Sequence, residues 1–142
     1  MKRLVRIIRR CYNVLYQNIK PLQYARKIGV NIADSVRFTG TVRWGSEPWL
    51  VSIGENTVVA HDVKFTTHDG GVAVVNKDPK YKDVIKFGRV DIGKNCFIGA
   101  GARFMPDVIV GDNCIVGADS LVTKDIPSNQ VWGGYLPISF VR

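Results

Sequence analysis

Residues 92–127 read IGKNCF IGAGAR FMPDVI VGDNCI VGADSL VTKDIP, and set in sixes the chain repeats itself. The first residue of every unit is apolar: Ile92, Ile98, Phe104, Val110, Val116 and Val122. In a chain that is 46% apolar, six consecutive hits at a chosen phase arise by chance roughly one time in a hundred. Neither the 3.6-residue period of a helix nor the alternation of an ordinary strand produces this pattern; it is the signature of a stacked repeat. Gly93, Gly99, Gly111, Gly117 and Thr123 follow their anchors as small residues, with Met105 the exception. Four residues after the anchors come Cys96, Ala102, Val108, Cys114, Ser120 and Ile126, compact enough to point inward.

Two shorter series lie upstream, Ile32, Phe38 and Trp44, then Ile53, Val59 and Phe65. Three hexapeptides make one triangular coil of eighteen residues, with short strands as sides and tight turns as corners. Positions eighteen apart then stack at about 4.8 Å, the spacing of neighbouring strands. Asn95 and Asn113 are such a pair. Asn tolerates left-handed backbone, so these residues, with Asn56, are expected to build a repeated corner. Cys96 and Cys114 are also eighteen apart, at an inward position, and are expected to be buried core residues rather than a disulfide or a catalytic thiol. The series is interrupted at residues 45–49 and again, at length, over residues 69–89, where Gly70-Gly71 and Asp78-Pro79 accompany five basic residues. Loops of that length without their own pattern are often functional.

At 142 residues the chain suits one domain. Three cysteines without a C-x-x-C spacing predict neither a disulfide framework nor a metal knuckle, and point to a reducing, cytoplasmic compartment. The basic start resembles the first region of a signal peptide, but Arg6, Arg9 and Arg10 interrupt its apolar run. The net charge of +8 is uneven: residues 1–37 carry nine Lys/Arg against one Asp, while residues 38–142 carry eleven of each sign. A neutral body with a basic arm argues against a nucleic-acid partner. In that arm Leu4, Ile8, Cys11, Leu15 and Ile19 recur at helical steps, with Arg3, Arg6, Arg10 and Gln17 largely elsewhere around the wheel. A basic amphipathic helix ending at Pro21 is expected, either packed on the body or a neighbouring subunit, or laid on an anionic membrane.

The division expected is a helical arm over 1–29, a β-helix over 30–127 with its long loop at 69–89, and a C-terminal segment over 128–142. From about Tyr24 to Pro127 the chain resembles the hexapeptide-repeat acyltransferases, among them the galactoside-acetyltransferase-like and the capsular or cell-surface polysaccharide O-acetyltransferases. The stretches that carry the resemblance are Gly45-Ser46-Glu47-Pro48-Trp49-Leu50, Phe65-Thr66-Thr67-His68-Asp69-Gly70-Gly71, and the runs Ile98-Gly99-Ala100-Gly101-Ala102 and Ile115-Val116-Gly117-Ala118-Asp119 through Ile126-Pro127. The resemblance implies an all-β solenoid, a left-handed parallel β-helix. It further implies a homotrimer with sites between subunits, acetyl-CoA as acyl donor, and a sugar, sugar-nucleotide or lipid-linked glycan as acceptor in surface polysaccharide biosynthesis. The enzyme would be cytoplasmic, or peripheral at the inner face of the membrane through the basic helix.

By the same resemblance His68 is the general base, and Ala100, Ala118, Thr123 and Lys124 sit where the family meets coenzyme A. Lys124 is equally readable as a plain surface lysine. Neutral imidazole suits removal of a hydroxyl proton near neutral pH, and direct transfer requires no covalent intermediate. Asp69 is read as orienting the imidazole or meeting the acceptor, Glu47 as binding sugar hydroxyls, and Trp49 as a stacking face for a sugar or a packing residue. Either carboxylate reads equally as a solvated loop residue. His61, at a turn, is expected to be solvent-exposed. The family closes with Gly-x-Pro-Ala followed by a basic residue, whereas this chain reads Gly133-Gly134-Tyr135-Leu136-Pro137-Ile138-Ser139, leaving Arg142 as the candidate replacement. A zinc hydratase of the same fold would need three histidines per site against the two present, so no metal is expected. The competing reading is a non-catalytic scaffold or binding module, which predicts no coenzyme A binding and free replacement of His68.

Overall fold

The computed structural model describes residues 2–134 and 136–138. Two helices come first, α1 (Lys2–Ile19) and α2 (Pro21–Lys27), the second opened by its proline, whose missing N–H costs nothing at a helix start. Then the chain winds through strands of two or three residues: β1 (Asn31–Ile32), β2 (Arg37–Phe38), β3 (Val51–Ile53), β4 (Val58–Val59) and β5 (Lys64–Phe65). A short helix α3 (Val72–Val75) lies in the long interruption. The winding resumes with β6 (Val90–Ile92), β7 (Phe97–Ile98), β8 (Arg103–Phe104), β9 (Val108–Val110), β10 (Ile115–Val116) and β11 (Leu121–Val122), and ends in β12 (Val131–Gly133) and β13 (Leu136–Ile138).

From β3 to β11 each successive strand joins the next of three sheets, and the sheets are β1-β3-β6-β9, β2-β4-β7-β10-β12 closed by β13, and β5-β8-β11; isolated bridges at Arg43 and Ile126 mark the turns where a strand is skipped. All pairings are parallel except β12 with β13. This is the left-handed parallel β-helix. The anchors of each series stack in columns: Ile32, Ile53, Ile92 and Val110 in the first sheet, Phe38, Val59, Ile98 and Val116 in the second, Phe65, Phe104 and Val122 in the third. Trp44 continues the third column as a stacked aromatic, 5.3 Å from Phe65, which lies 5.4 Å from Phe104. The inward positions Val36, Val42, Val63, Cys96, Ala102, Cys114 and Ile126 are all buried.

The two cysteines are free thiols, and each donates to carbonyls of its own and the next turn: Cys96 to Gly111 O at 3.2 Å, Cys114 to Pro127 O at 3.2 Å. Burial pushes the Cys96 thiol above its ordinary value, which suits a packing role. Cys11, by contrast, is exposed on α1. The corners are held by left-handed residues, Asn56, Asn95, Asn113 and Asn129, and the side chains form a ladder. Asn95 donates to Asn113 at 3.2 Å and Asn113 to Asn129 at 2.9 Å.

Register shows what the interruptions do. Val59 is in register with Ile98, so 39 residues separate partners that the unbroken coil holds 18 apart; the excess of 21 is the length of 69–89. The short break adds three, as Ile32 pairs with Ile53. The last turn is instead two residues short, Ile115 pairing with Val131, and it places Trp132 beneath Val116. The solenoid thus runs through β12, beyond the boundary at 127 drawn from the repeat. At the other end α2 closes the first coil, with Ala25 fully buried and Leu22, Tyr24 and Ile28 packed on the core. A stacked repeat needs such a cap over its open apolar end.

Candidate functional site

The site forms where the two interruptions meet. Gly45 opens the short break at φ +72°, a conformation that side-chain-bearing residues rarely adopt. A Cβ there would stand 2.9 Å from the carbonyl oxygen of Phe65 and 3.3 Å from Thr67 Oγ1, so only glycine lets the break cross so close to the end of β5. The crossing carries Glu47 to the mouth of the third corner, where a 3₁₀ turn (Pro48–Leu50) begins. There one carboxylate oxygen, Oε2, receives two groups: the Thr67 hydroxyl donates to it at 2.8 Å, and His68 Nδ1 lies at 2.9 Å.

Burial pushes the Glu47 carboxyl up, but the Thr67 hydroxyl, the His68 hydrogen bond and the charge on that ring outweigh it, holding it below its ordinary 4.5. An ionised carboxylate only accepts, so the proton in this hydrogen bond belongs to Nδ1. In its neutral form the ring then carries its lone pair on Nε2, where it can act as a base. The His68 side chain is 44% exposed against 15% for Glu47, so the acid is sheltered and the ring reaches out.

The long loop secures the ring from its other side. His68 forms an antiparallel bridge with Phe87, Asp69 N donates to Lys86 O at 3.0 Å, and Gly88 N donates to Thr67 O at 2.9 Å. The loop leaves and returns as a two-rung hairpin with His68 at its base. Phe87 meets the imidazole edge-on at 6.5 Å. Between break and loop lies a cavity of about 350 Å³, lined by Glu47, His68, Asp69, Ala73, Ile85 and Phe87 among others. That volume suits a small ligand.

Of the residues expected to act, His68, Glu47 and Asp69 come together at this cavity. Glu47, not Asp69, holds the imidazole, while Asp69 lines the cavity and accepts from Gly71 N through Oδ1 at 2.8 Å. Trp49 is exposed but does not line the cavity; it stands beside Gly29 at the foot of α2 and borders a separate hollow with Arg89 and Asp91. Thr67, fully buried, was not singled out, although it lies in the quoted motif next to His68. A buried hydroxyl needs a partner, and that need is the signal in the sequence.

The four residues placed by resemblance at coenzyme A divide between two corners. Thr123 and Lys124 follow Val122, which stacks through Phe104 on Phe65, so they lie two coils along the axis from Thr66 and Thr67. Ala100 and Ala118 occupy the corner between the second and third sheets, one coil apart, with Asp119 N donating to Ala100 O at 2.8 Å. A face of the prism separates that corner from His68. His61 stands in the same column, above Ala100, and is exposed. Arg142, the candidate replacement for the family's basic residue, lies outside the described residues, as do Tyr135 and Ser139. Among the described residues no group of three or more His, Cys, Asp or Glu is arranged to hold a metal ion, and no helix is long and apolar enough to cross a membrane.

Residues 89–124 match the family described as bacterial transferase hexapeptide (six repeats). The chain is 47% identical over 111 residues to Protein CapG of Staphylococcus aureus, an alignment covering 77% of this chain; it spans 63% of the length of that relative. Among solved structures, a maltose O-acetyltransferase from Clostridium difficile 630 superposes with a TM-score of 0.62 at 22% identity, over 84% of this chain and 74% of the other. A hexapeptide-repeat-containing acetyltransferase from Vibrio cholerae gives 0.63 at 15%, over 92% and 86%. At these identities the likeness is one of fold.

Proposed function

We infer that this chain, which resembles the bacterial hexapeptide-repeat transferases over residues 89–124 and is 47% identical to Protein CapG over 111 residues, is an acetyltransferase that moves an acetyl group from acetyl-CoA to a sugar hydroxyl. One observation carries the reading: His68 is held through Nδ1 by a sheltered carboxylate at the mouth of a cavity, which leaves Nε2 as a base. In the reaction Nε2 takes the acceptor's hydroxyl proton as its oxygen attacks the thioester carbonyl. The C–S bond of the tetrahedral adduct then breaks, and the departing thiolate takes the proton back from the imidazolium. Glu47 is a positioning residue that fixes the tautomer and stabilises the imidazolium. Asp69, at the cavity rim, faces the acceptor.

The fold shared with a maltose O-acetyltransferase supports a sugar as acceptor and a hydroxyl over an amine. A role in surface polysaccharide biosynthesis follows from the family resemblance. Ala100 and Ala118 are too far around the prism to serve the same chain's His68. The reading therefore needs a second protomer beside the first; the family resemblance makes that assembly a homotrimer, with the pantetheine arm between the corner of one protomer and the cavity of the next. Small side chains at both positions permit that approach, and Thr123 and Lys124 extend the groove toward the nucleotide.

Calorimetric titration with acetyl-CoA, run beside His68→Ala, tests this. Both proteins are expected to bind the donor, while acetyl transfer to a panel of sugars, followed by thiol release, falls at least about 10²-fold in the variant. A folded protein that binds no donor would remove the enzyme reading and leave a scaffold, whereas a variant that turns over normally would remove His68 from the role of base.

A further inference from the structure

We propose that α1 lies in the plane of an anionic membrane surface and tethers the solenoid to it. The helix is turned the wrong way to serve the protein's own core. Leu4, Ile7, Ile8, Val14, Leu15 and Ile19 are 52–65% exposed, whereas the side resting on the body carries Asn13, Tyr16 and Gln17, all half-buried. Gln17 Nε2 donates to the carbonyl oxygen of Val42, and Tyr16 meets Tyr24 edge-on at 6.1 Å. The polar face is the docked one. A surface helix that serves a protein's core buries its apolar stripe instead.

Charge selects the occupant of the exposed face. Residues 1–19 contain five Lys/Arg and no acid, and residues 1–37 sum to +8 while the rest of the chain is neutral. A second copy of the helix would bring like charge against like, and the body, with eleven acids balanced by eleven bases, carries no net charge to draw it. An anionic lipid surface supplies both a solvent for the apolar face and a counter-charge for the basic one. At about 1.5 Å per residue the helix is about 27 Å long, but its basic residues bar it from spanning and it rests at the headgroups.

The test uses the purified full chain and sedimentation with two-to-one phosphatidylcholine and phosphatidylglycerol vesicles, against vesicles of phosphatidylcholine alone. The protein is expected to sediment with the anionic vesicles and to be released by added salt. Arg3→Ala with Arg6→Ala is expected to lower the association constant on the order of thirtyfold. Leu4→Ser with Ile8→Ser removes apolar area without changing charge, touches no residue of the coil, and is expected to abolish sedimentation. Equal binding to neutral vesicles would overturn the proposal, as would wild-type binding by the serine variant. So would a failure of the wild type to sediment with anionic vesicles; a smaller mass of the serine variant in solution would then identify a second copy as what covers the face.

Discussion

Oxygen Oε2 of Glu47 accepts from Thr67 and His68 at once, and that convergence sets what the site can do. In Glu47→Gln the side-chain shape survives, but the charge that fixes the imidazole tautomer is lost. Turnover is expected to fall on the order of 10²-fold with donor affinity unchanged, read as separate kcat and KM effects. The same substitution has a signature in stability. The folded carboxyl of Glu47 lies below its ordinary 4.5, so its contribution is fully present above that value and is lost as pH falls through the folded value. Urea midpoints measured from about pH 6 down to about pH 3 are expected to fall less steeply in Glu47→Gln than in the wild type. A slope equal in both would mean that the hydrogen bonds to Glu47 do not contribute to stability.

At the scale of the element, the corner is the unit that repeats. Asn56, Asn95, Asn113 and Asn129 have φ between 54° and 65°, and the last three are linked side chain to side chain. Asn113 sits in the middle of that ladder, so it combines a left-handed backbone with two amide contacts. Asn113→Ala is expected to destabilise the coil by about 1–2 kcal/mol, because a Cβ without a local hydrogen-bonding group is disfavoured there. Asn113→Gly keeps the backbone free and is expected to lose less, so chemical denaturation of the two variants separates conformation from hydrogen bonding. The same reasoning explains how the coil accepts loops: an insertion at a corner leaves strand register untouched, as the pairing of Val59 with Ile98 across the long loop shows.

For the whole molecule, the outward face of the second sheet is the distinctive surface. Phe97 and Ile115 are in register on neighbouring strands and each is close to half exposed, with Val58 and Val131 continuing their column. The corresponding outward column of the third sheet carries Arg43, Lys64 and Arg103 before it ends at Leu121, with Arg43 and Lys64 both paired to Asp62. An assembly that buries one face would choose the apolar one. Phe97→Glu combined with Ile115→Glu is expected to reduce the mass in light scattering from trimer to monomer and to remove acetyl transfer with it. A trimeric and active double variant would place the interface on another face.

Much of this fold was legible in the chain because a solenoid's burial pattern is local: every sixth residue faces inward wherever the coil goes, so Ile92 through Val122 announce it without reference to distant sequence. The positions of both interruptions and the corner asparagines followed from the same phase. Asn129 and Trp132 escaped because the final turn is two residues short, which shifts the phase while preserving the stacking. His68 stood out by its loop and its motif. Its pairing with Glu47 did not, since Glu47 lies 21 residues from His68 and 20 from Thr67, and the three converge only because Gly45 lets the break pass over β5. The amphipathic pattern of α1 was likewise plain, yet a helical wheel has no outside. Only the packing of Tyr16 and Gln17 onto the body decided which half faces the solvent, because burial is a property of contacts between elements rather than of either element alone.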